Sequence, residues 1–133
     1  MALAPAARSK LRRKPIRKRR RSVIAPIART ATGTAFRVSI PVAGATFKII
    51  GKPAIYVKTT AESGRPRVQA FCGTCGSPIY STTPGEGVQP SYTLRVGILR
   101  QRDQLTPRRQ FWWRSAQSWV TDITGVLRYE KQS

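Results

Sequence analysis

Histidine is absent from this sequence of 133 residues. This excludes His-based acid–base catalysis, the Ser-His-Asp and Cys-His arrangements of nucleophilic enzymes, and every zinc site with an imidazole ligand. Cysteine occurs only twice, which excludes the disulfide-rich scaffold of a small secreted protein. No hydrophobic run approaches the ~20 residues that span a bilayer, so a transmembrane protein is excluded as well. What is left is a chain of the length of one ordinary domain.

Acidic residues are also scarce, and the opposite charge is unevenly distributed. The chain has 25 Lys and Arg residues but only five Asp and Glu residues, which gives a net charge of +20. Residues 1–29 hold 11 of the basic residues and no acidic one, with the densest run from Lys10 to Arg21. This segment lacks aromatic residues and any sustained period, so we predict a disordered basic arm over 1–29 and a folded domain over 30–133.

The second part of the sequence predicts a mainly β domain. Short alternating or β-branched segments recur every 8–12 residues, separated by Gly- and Pro-containing turns. Helical turns are expected only at Gln101–Leu105 and Ser115–Val120. The predicted strands are Ala35 to Pro41, Thr46 to Ile50, Ile55 to Thr59, Arg67 to Phe71, Ser77 to Thr82, Tyr92 to Ile98 and Gln110 to Trp113.

The two cysteines form a C-x-x-C motif, Cys72-Gly73-Thr74-Cys75-Gly76, between two predicted strands. Glycine after each cysteine lets the backbone N–H groups turn toward two thiolates, as in a zinc knuckle. A thioredoxin-type redox pair would open a helix, whereas Gly76-Ser77-Pro78 leads into a strand, so metal binding ranks above redox chemistry. The alternative is a pair of idle thiols in a turn, because two thiolates are only half of a four-ligand zinc site.

The basic arm has several interpretations of its own. Its charge could neutralise phosphates and give non-specific, salt-sensitive binding to nucleic acid. The run also matches a nuclear-localisation patch or an organellar transit peptide. The remaining interpretation is a solvated tail without a selected function. Arg108 and Arg109, with Arg100 and Arg102, could hold an anionic substrate, although a solvated rim fits them better.

Several ordered motifs together resemble one known family, that of the glutathione-dependent formaldehyde-activating enzymes, which shares its domain with centromere protein V. The resemblance covers about residues 30–131. It implies a compact, mostly β fold of the Mss4-like type. The motifs that carry it are Gly33-Thr34-Ala35-Phe36, Ala70 to Ser81 (AFCGTCGSPIYS), Tyr92 to Gly97, Gln104 to Gln110, and Trp113 to Ala116 followed by Trp119-Val120.

The resemblance also implies a metal cofactor and a substrate class. Family members carry a structural zinc site, made by an early C-x-C and the later C-x-x-C, and a catalytic zinc site made by a C-H-C-x-x-C stretch. They resemble carbon–sulfur lyases in which a zinc-held thiolate adds to an aldehyde. The implied partners are therefore small thiols and aldehydes. A cytoplasmic location is expected, since the sequence lacks the apolar core of a signal peptide.

This chain departs from the family pattern at its zinc ligands. The later C-x-x-C corresponds to Cys72 and Cys75, which we predict as the metal ligands of a half-complete structural site. The early C-x-C is missing from residues 1–20, and the catalytic stretch is replaced by residues 22–29, SVIAPIAR. No catalytic residue can be assigned, so we predict a lyase-family domain that is inactive as written. The alternative is a basic nucleic-acid-binding protein that acts through its arm.

The genetic code offers an explanation for the missing ligands. With permissible synonymous codons, the DNA for SVIAPIAR read from each third codon base spells Cys-His-Cys-Thr-Asp-Cys-Gln. That motif is in register with the family-like segment after residue 29. We therefore hypothesise that the N-terminal segment is the product of a shifted reading frame. The nucleotide sequence tests this, since the absence of Cys-His-Cys codons upstream of Thr30 would refute it.

Overall fold

A computed structural model describes residues 21–85 and 90–132 of the chain. Within these residues the elements are seven strands, one α-helix and several short 3₁₀ turns, so the predicted mainly β class is confirmed. The strands are β1 Arg21–Val23, β2 Arg37–Ala43, β3 Ala54–Lys58, β4 Arg67–Phe71, β5 Pro78–Thr82, β6 Ser91–Arg95 and β7 Gln110–Phe111, and the helix is α1 Pro26–Thr32.

The strands form one sheet in the order β3-β4-β5-β6-β2-β1-β7. All neighbouring pairs are antiparallel except β1 and β7, which run parallel. A register shift between Ala70 and Phe71 interrupts the β4–β5 pair just before the C-x-x-C motif. Such a bulge bends the strand, and here it brings the chain into the turn that holds the cysteines.

The two faces of the sheet differ in polarity. Ile40 lies opposite Leu94, which in turn lies opposite Tyr80, so these apolar side chains share one face. Ile40 and Leu94 are fully buried there and form a core with Val42, Val96, Leu99 and Leu105. Because side chains alternate along a strand, the neighbouring residues point to the opposite face. That face holds Ser39, Ser81, Thr93 and Arg95, which are polar yet buried.

The predicted strand Thr46 to Ile50 is wrong. A 3₁₀ turn covers Gly44–Thr46, and residues 47–50 are in irregular structure. Phe47 packs instead into a cluster with Tyr80 and Tyr92, at ring-centroid distances of 5.7 and 5.2 Å. The aromatic side chain is used to cover the end of the core, a role that the β-propensity of the segment does not reveal.

The predicted end of the basic arm needs correction. Residues Arg21–Val23 form strand β1, and the boundary predicted before Thr30 falls inside α1. Ile24 and Ala28 are 0% and 1% exposed, because the short apolar run after the charged segment packs into the domain. The structure thus assigns residues 22–29 to the folded domain. The rest of the predicted arm, residues 1–20, lies outside the described residues.

Helical structure is sparse, as expected. The 3₁₀ segment Arg102–Gln104 lies within the turn predicted at Gln101–Leu105, and Ser118–Thr121 overlaps the one predicted at Ser115–Val120. Helix α1 was not predicted. Among the described residues, no helix has the length and apolar character to span a bilayer.

Candidate functional site

A cavity of about 1050 Å³ opens over the polar face of the sheet. Its floor is made by side chains of β3 to β6, including Lys58, Gln69 and Arg95. Its walls are the segment from β1 through α1, the loop after β3, and Trp112. Concave sites of this size between sheet and helix are where small-molecule ligands bind.

Local sequence signals define both ends of α1, the helix that lies against the cavity. Pro26 occupies the first turn, where its missing N–H costs nothing, and Gly33 ends the helix with a left-handed φ of 66°. Arg29 then connects the helix to the 3₁₀ turn Trp113–Ser115 that follows β7. Its guanidinium donates to the carbonyl oxygens of Ile24, at 3.2 Å, and Ser115.

The wall that α1 and β1 provide is mostly apolar, with Thr30 and Thr32 as its polar residues. The catalytic family motif, placed in the register that the reading-frame hypothesis gives, puts its three cysteines at Val23, Ala25 and Ala28. All three side chains line the cavity. They carry no lone pair, whereas zinc takes sulfur, nitrogen or oxygen ligands. The residues at this wall therefore do not fit a zinc ion.

The predicted metal ligands Cys72 and Cys75 sit in a tight turn next to the cavity but outside its lining. The amide of Cys72 donates to the carbonyl of Ser77 at 2.9 Å, and the amide of Gly76 donates to the carbonyl of Cys72 at 2.8 Å. Gly76 adopts a left-handed φ of 72°, which the glycine after the second cysteine makes inexpensive. Two backbone hydrogen bonds therefore close the turn, and of its two glycines it is Gly76 that has a positive φ.

The two thiols differ in environment. Cys72 is buried, and the backbone N–H groups of Cys75 and Thr74 lower the pKa of its thiol, because they donate to the sulfur and favour the thiolate. Cys75 is exposed, and its sulfur lies 3.1 Å from the hydroxyl oxygen of Ser77. Over residues 21–85 and 90–132, no group of three or more His, Cys, Asp or Glu side chains could hold a metal ion. The donors present supply half of a tetrahedral zinc site, and the assignment of both cysteines as ligands stays a prediction.

The arginines that the sequence singled out as possible anion ligands do not line the cavity. Arg100, Arg102, Arg108 and Arg109 are exposed and do not line it, in agreement with a solvated rim. Trp112 does line it, with a left-handed φ of 63° that is rare for a bulky residue. The run that would bind nucleic acid falls, apart from Arg21, outside the described residues.

Sequence reasoning missed the polar lining of the cavity. Lys58, Arg67 and Arg95 reach it from three strands, and Glu62 lies at its rim. Glu62 forms a 2.8 Å ion pair with Arg114, whose guanidinium carbon is 5.0 Å from the ring centre of Trp112. The alternation of each strand carried part of this signal, but only the pairing of the strands brings the side chains together.

Comparison with known proteins agrees with this architecture. The sequence profile of the glutathione-dependent formaldehyde-activating enzyme family matches residues 26–115. No curated protein sequence matches the chain. The family match begins in the apolar wall of the cavity and includes α1, β2 to β7 and the C-x-x-C turn. The chain therefore belongs to the glutathione-dependent formaldehyde-activating enzyme family.

Proposed function

We propose that this chain keeps the fold and the substrate cavity of its family but does not perform the family's zinc-dependent addition of a thiol to an aldehyde. One observation carries the proposal. Val23, Ala25 and Ala28, at the positions where the reading-frame hypothesis places the family's catalytic cysteines, have only hydrocarbon side chains to offer to the cavity.

The remaining donors do not replace those ligands. The acidic side chain at the rim, Glu62, is engaged with Arg114. Cys72 and Cys75 belong to the neighbouring turn and lie outside the lining. Several basic side chains also face the cavity, and they disfavour a divalent cation there by Coulomb repulsion. The chemistry of this lining thus supports a cavity without a catalytic metal.

The structural half-site follows the same logic. Cys72 and Cys75 supply two of the four ligands that a closed zinc site requires. The family's other pair would lie in residues 1–20, where the sequence has no cysteine. The stability of the domain then rests on its hydrophobic core around Ile40 and Leu94. We propose that zinc binds this pair weakly and contributes little to folding.

An assay of the reaction itself tests the proposal. Purified full-length protein is incubated with formaldehyde and glutathione, and formation of S-hydroxymethylglutathione is followed by NMR exchange against a protein-free background. We expect the rate to equal the background, both with added zinc and after treatment with EDTA. Acceleration above background that added zinc restores to the EDTA-treated protein would contradict the proposal.

A further inference from the structure

The C-x-x-C turn brings its two sulfur atoms together. The sulfur of Cys75 contacts the side chain of Cys72. A four-residue turn holds its first and last Cα atoms within about 7 Å of each other, and a disulfide joins Cα atoms about 4.4–6.8 Å apart. A bond between these two sulfurs therefore needs little movement of the backbone. Since the sequence has no other cysteine, no second intrachain pairing competes with it.

The hydrogen bonds of the turn hold both sulfurs in place. The amide of Cys72 donates to the carbonyl of Ser77 at 2.9 Å, and the amide of Gly76 donates to the carbonyl of Cys72 at 2.8 Å. The amides of Thr74 and Cys75 donate to the Cys72 sulfur, and the Ser77 hydroxyl lies 3.1 Å from the Cys75 sulfur. The arrangement of the pair therefore does not depend on a group outside the turn.

The two sulfurs differ in their access to solvent. Cys72 is only 9% exposed, whereas Cys75 is exposed together with its neighbours Gly73, Thr74 and Gly76. A reagent that arrives from solvent reaches Cys75 first. Cys72 lies in contact with it, in the position of a resolving thiol. An accessible thiol next to a resolving one is typical of redox-active cysteine pairs.

Metal binding and redox chemistry are the two uses that such a pair has. The sequence favours metal, because Gly76-Ser77-Pro78 leads into a strand and not into a helix, and strand β5 does begin at Pro78. The turn amides of Thr74 and Cys75, however, point at the first sulfur as the N–H groups of a helix N-terminus would. A closed zinc site needs four ligands, whereas the chain has two cysteines and no histidine. These donors therefore suit a dithiol better than a structural zinc ion.

We propose that Cys72 and Cys75 form a thiol–disulfide exchange site whose substrates are small-molecule disulfides. Cys75, as the thiolate, attacks one sulfur of the substrate R–S–S–R. The S–S bond of the substrate breaks, a mixed disulfide forms on Cys75, and one R–S⁻ leaves. Cys72 then gives its proton to solvent and attacks the Cys75 sulfur, which expels the second R–S⁻. The pair loses two electrons to the substrate, and both released thiolates take up protons and become thiols.

This site lies in the turn and not in the cavity. It rests on one part of the proposed function, that zinc binds Cys72 and Cys75 weakly, and it does not depend on the absence of lyase activity. Because both cysteines lie outside the lining of the cavity, the exchange needs no substrate bound there. A small uncharged disulfide without a glutathione group, 2-hydroxyethyl disulfide, is therefore a suitable probe.

Thiol counting on the full chain tests the proposal. Reduced, EDTA-treated protein is desalted, incubated anaerobically with 2-hydroxyethyl disulfide, alkylated with iodoacetamide and weighed by mass spectrometry. We expect the free thiols to fall from two per chain to none, with a chain that stays monomeric on a non-reducing gel. Dithiothreitol should restore both thiols. Two thiols that stay free, a lasting mixed disulfide on the wild type, or a disulfide between chains would overturn the proposal.

Two matched variants assign the order of the steps, since each replaces one thiol by a hydroxyl. Cys72→Ser keeps the exposed thiol and should stop at the mixed disulfide with the reagent, because the resolving thiol is gone. Cys75→Ser keeps only the buried thiol and should react at least about tenfold more slowly than Cys72→Ser. Equal rates, or a faster reaction of Cys75→Ser, would overturn the assignment of Cys75 as the attacking thiol. The wild-type thiol count needs neither variant, so it decides the proposal even if one of them unfolds.

The same reaction on protein purified without EDTA separates this proposal from the proposed function. If zinc is held weakly, both preparations should oxidise at the same rate. Oxidation of the EDTA-treated chain alone would contradict the weak zinc binding of the proposed function and would support the exchange site. Failure of both preparations to oxidise would overturn the exchange site and leave the expected lack of lyase activity untouched.

Discussion

Replacement of Cys75 by serine distinguishes a C-x-x-C turn that is stable without metal from one that depends on bound zinc. Cys75 is exposed, and its sulfur contacts the Ser77 hydroxyl at 3.1 Å and the side chain of Cys72. Serine is nearly the same size and can keep that hydrogen bond. We therefore expect Cys75→Ser to lower the free energy of unfolding by less than about 1 kcal/mol.

A closed zinc site predicts a far larger loss. Structural zinc contributes on the order of 10–16 kcal/mol of apparent binding energy, comparable to or above the whole stability of a small domain, roughly 5–15 kcal/mol. Removing one ligand from such a site would leave Cys75→Ser unfolded or close to it. The two descriptions of the turn thus differ by several kcal/mol, well beyond experimental error.

Urea unfolding, followed by tryptophan fluorescence under reducing conditions, measures the difference. With an m-value of about 1–3 kcal/mol/M, Cys75→Ser should shift the midpoint by less than about 1 M, and EDTA should not change the wild-type midpoint. Cys72→Ser is the companion variant. It should cost more, roughly 1–3 kcal/mol, because Cys72 is buried and its sulfur accepts two backbone N–H groups. A loss above about 3 kcal/mol in Cys75→Ser, or a midpoint that EDTA lowers, would refute this reasoning.

Three further predictions concern the core, the knuckle and the rim. Leu94→Ala, at a fully buried position, should cost about 2–5 kcal/mol in urea unfolding, against about 0.5 kcal/mol for Leu127→Ala at 78% exposure, and equal costs would contradict the core. The iodoacetamide alkylation of Cys72 should have a lower pH midpoint in the folded than in the unfolded chain. Because folding lowers the pKa of Cys72, the thiolate stabilises the fold fully above the unfolded pKa of about 8.5, and this stabilisation is lost as pH falls through the folded pKa. Equal alkylation midpoints in the folded and unfolded chains would contradict this. A double-mutant cycle on Glu62 and Arg114 should give a coupling below about 1 kcal/mol that high salt removes, because both side chains are largely exposed, and a larger salt-resistant coupling would argue against this description.

The strands with clear alternation could be predicted from the sequence, and those that depend on distant partners could not. Arg67–Phe71 matches its predicted range, since its alternation is bounded by Pro66 and the C-x-x-C turn. Strand β1 is only three residues long and begins at the end of the basic run, so its sequence shows no strand pattern. It forms because it pairs with Arg37–Ala43 and Gln110–Phe111. Thr46 to Ile50 shows the opposite error, where local β-propensity yields to the packing of Phe47.

The candidate site could be predicted only where its chemistry is local. The C-x-x-C turn follows from neighbouring residues, and Gly76 has the positive φ that a tight turn favours. The cationic cavity does not, because Lys58, Arg67 and Arg95 come from three strands and meet only through the sheet register. The positive φ of Trp112 has no sequence signature at all, since aromatic residues rarely adopt it.

The most direct test of the account is the zinc content of a chain in which Val23, Ala25 and Ala28 are all replaced by cysteine. The matched control replaces the same three residues by serine, which reproduces the change in size and polarity without a thiolate. Each protein is purified without chelator, desalted and measured by mass spectrometry for metal per chain. A control that folds shows that the cavity wall tolerates the substitutions.

If the apolar side chains at these three positions are the reason that the cavity does not bind zinc, the cysteine variant should carry about one zinc per chain. The wild type and the serine control should then carry only a small fraction. At a free zinc concentration a hundredfold above Kd, the cysteine variant should also gain about 2.7 kcal/mol of stability. A wild-type chain that already holds about one zinc tightly, or a folded cysteine variant that gains none, would contradict the account.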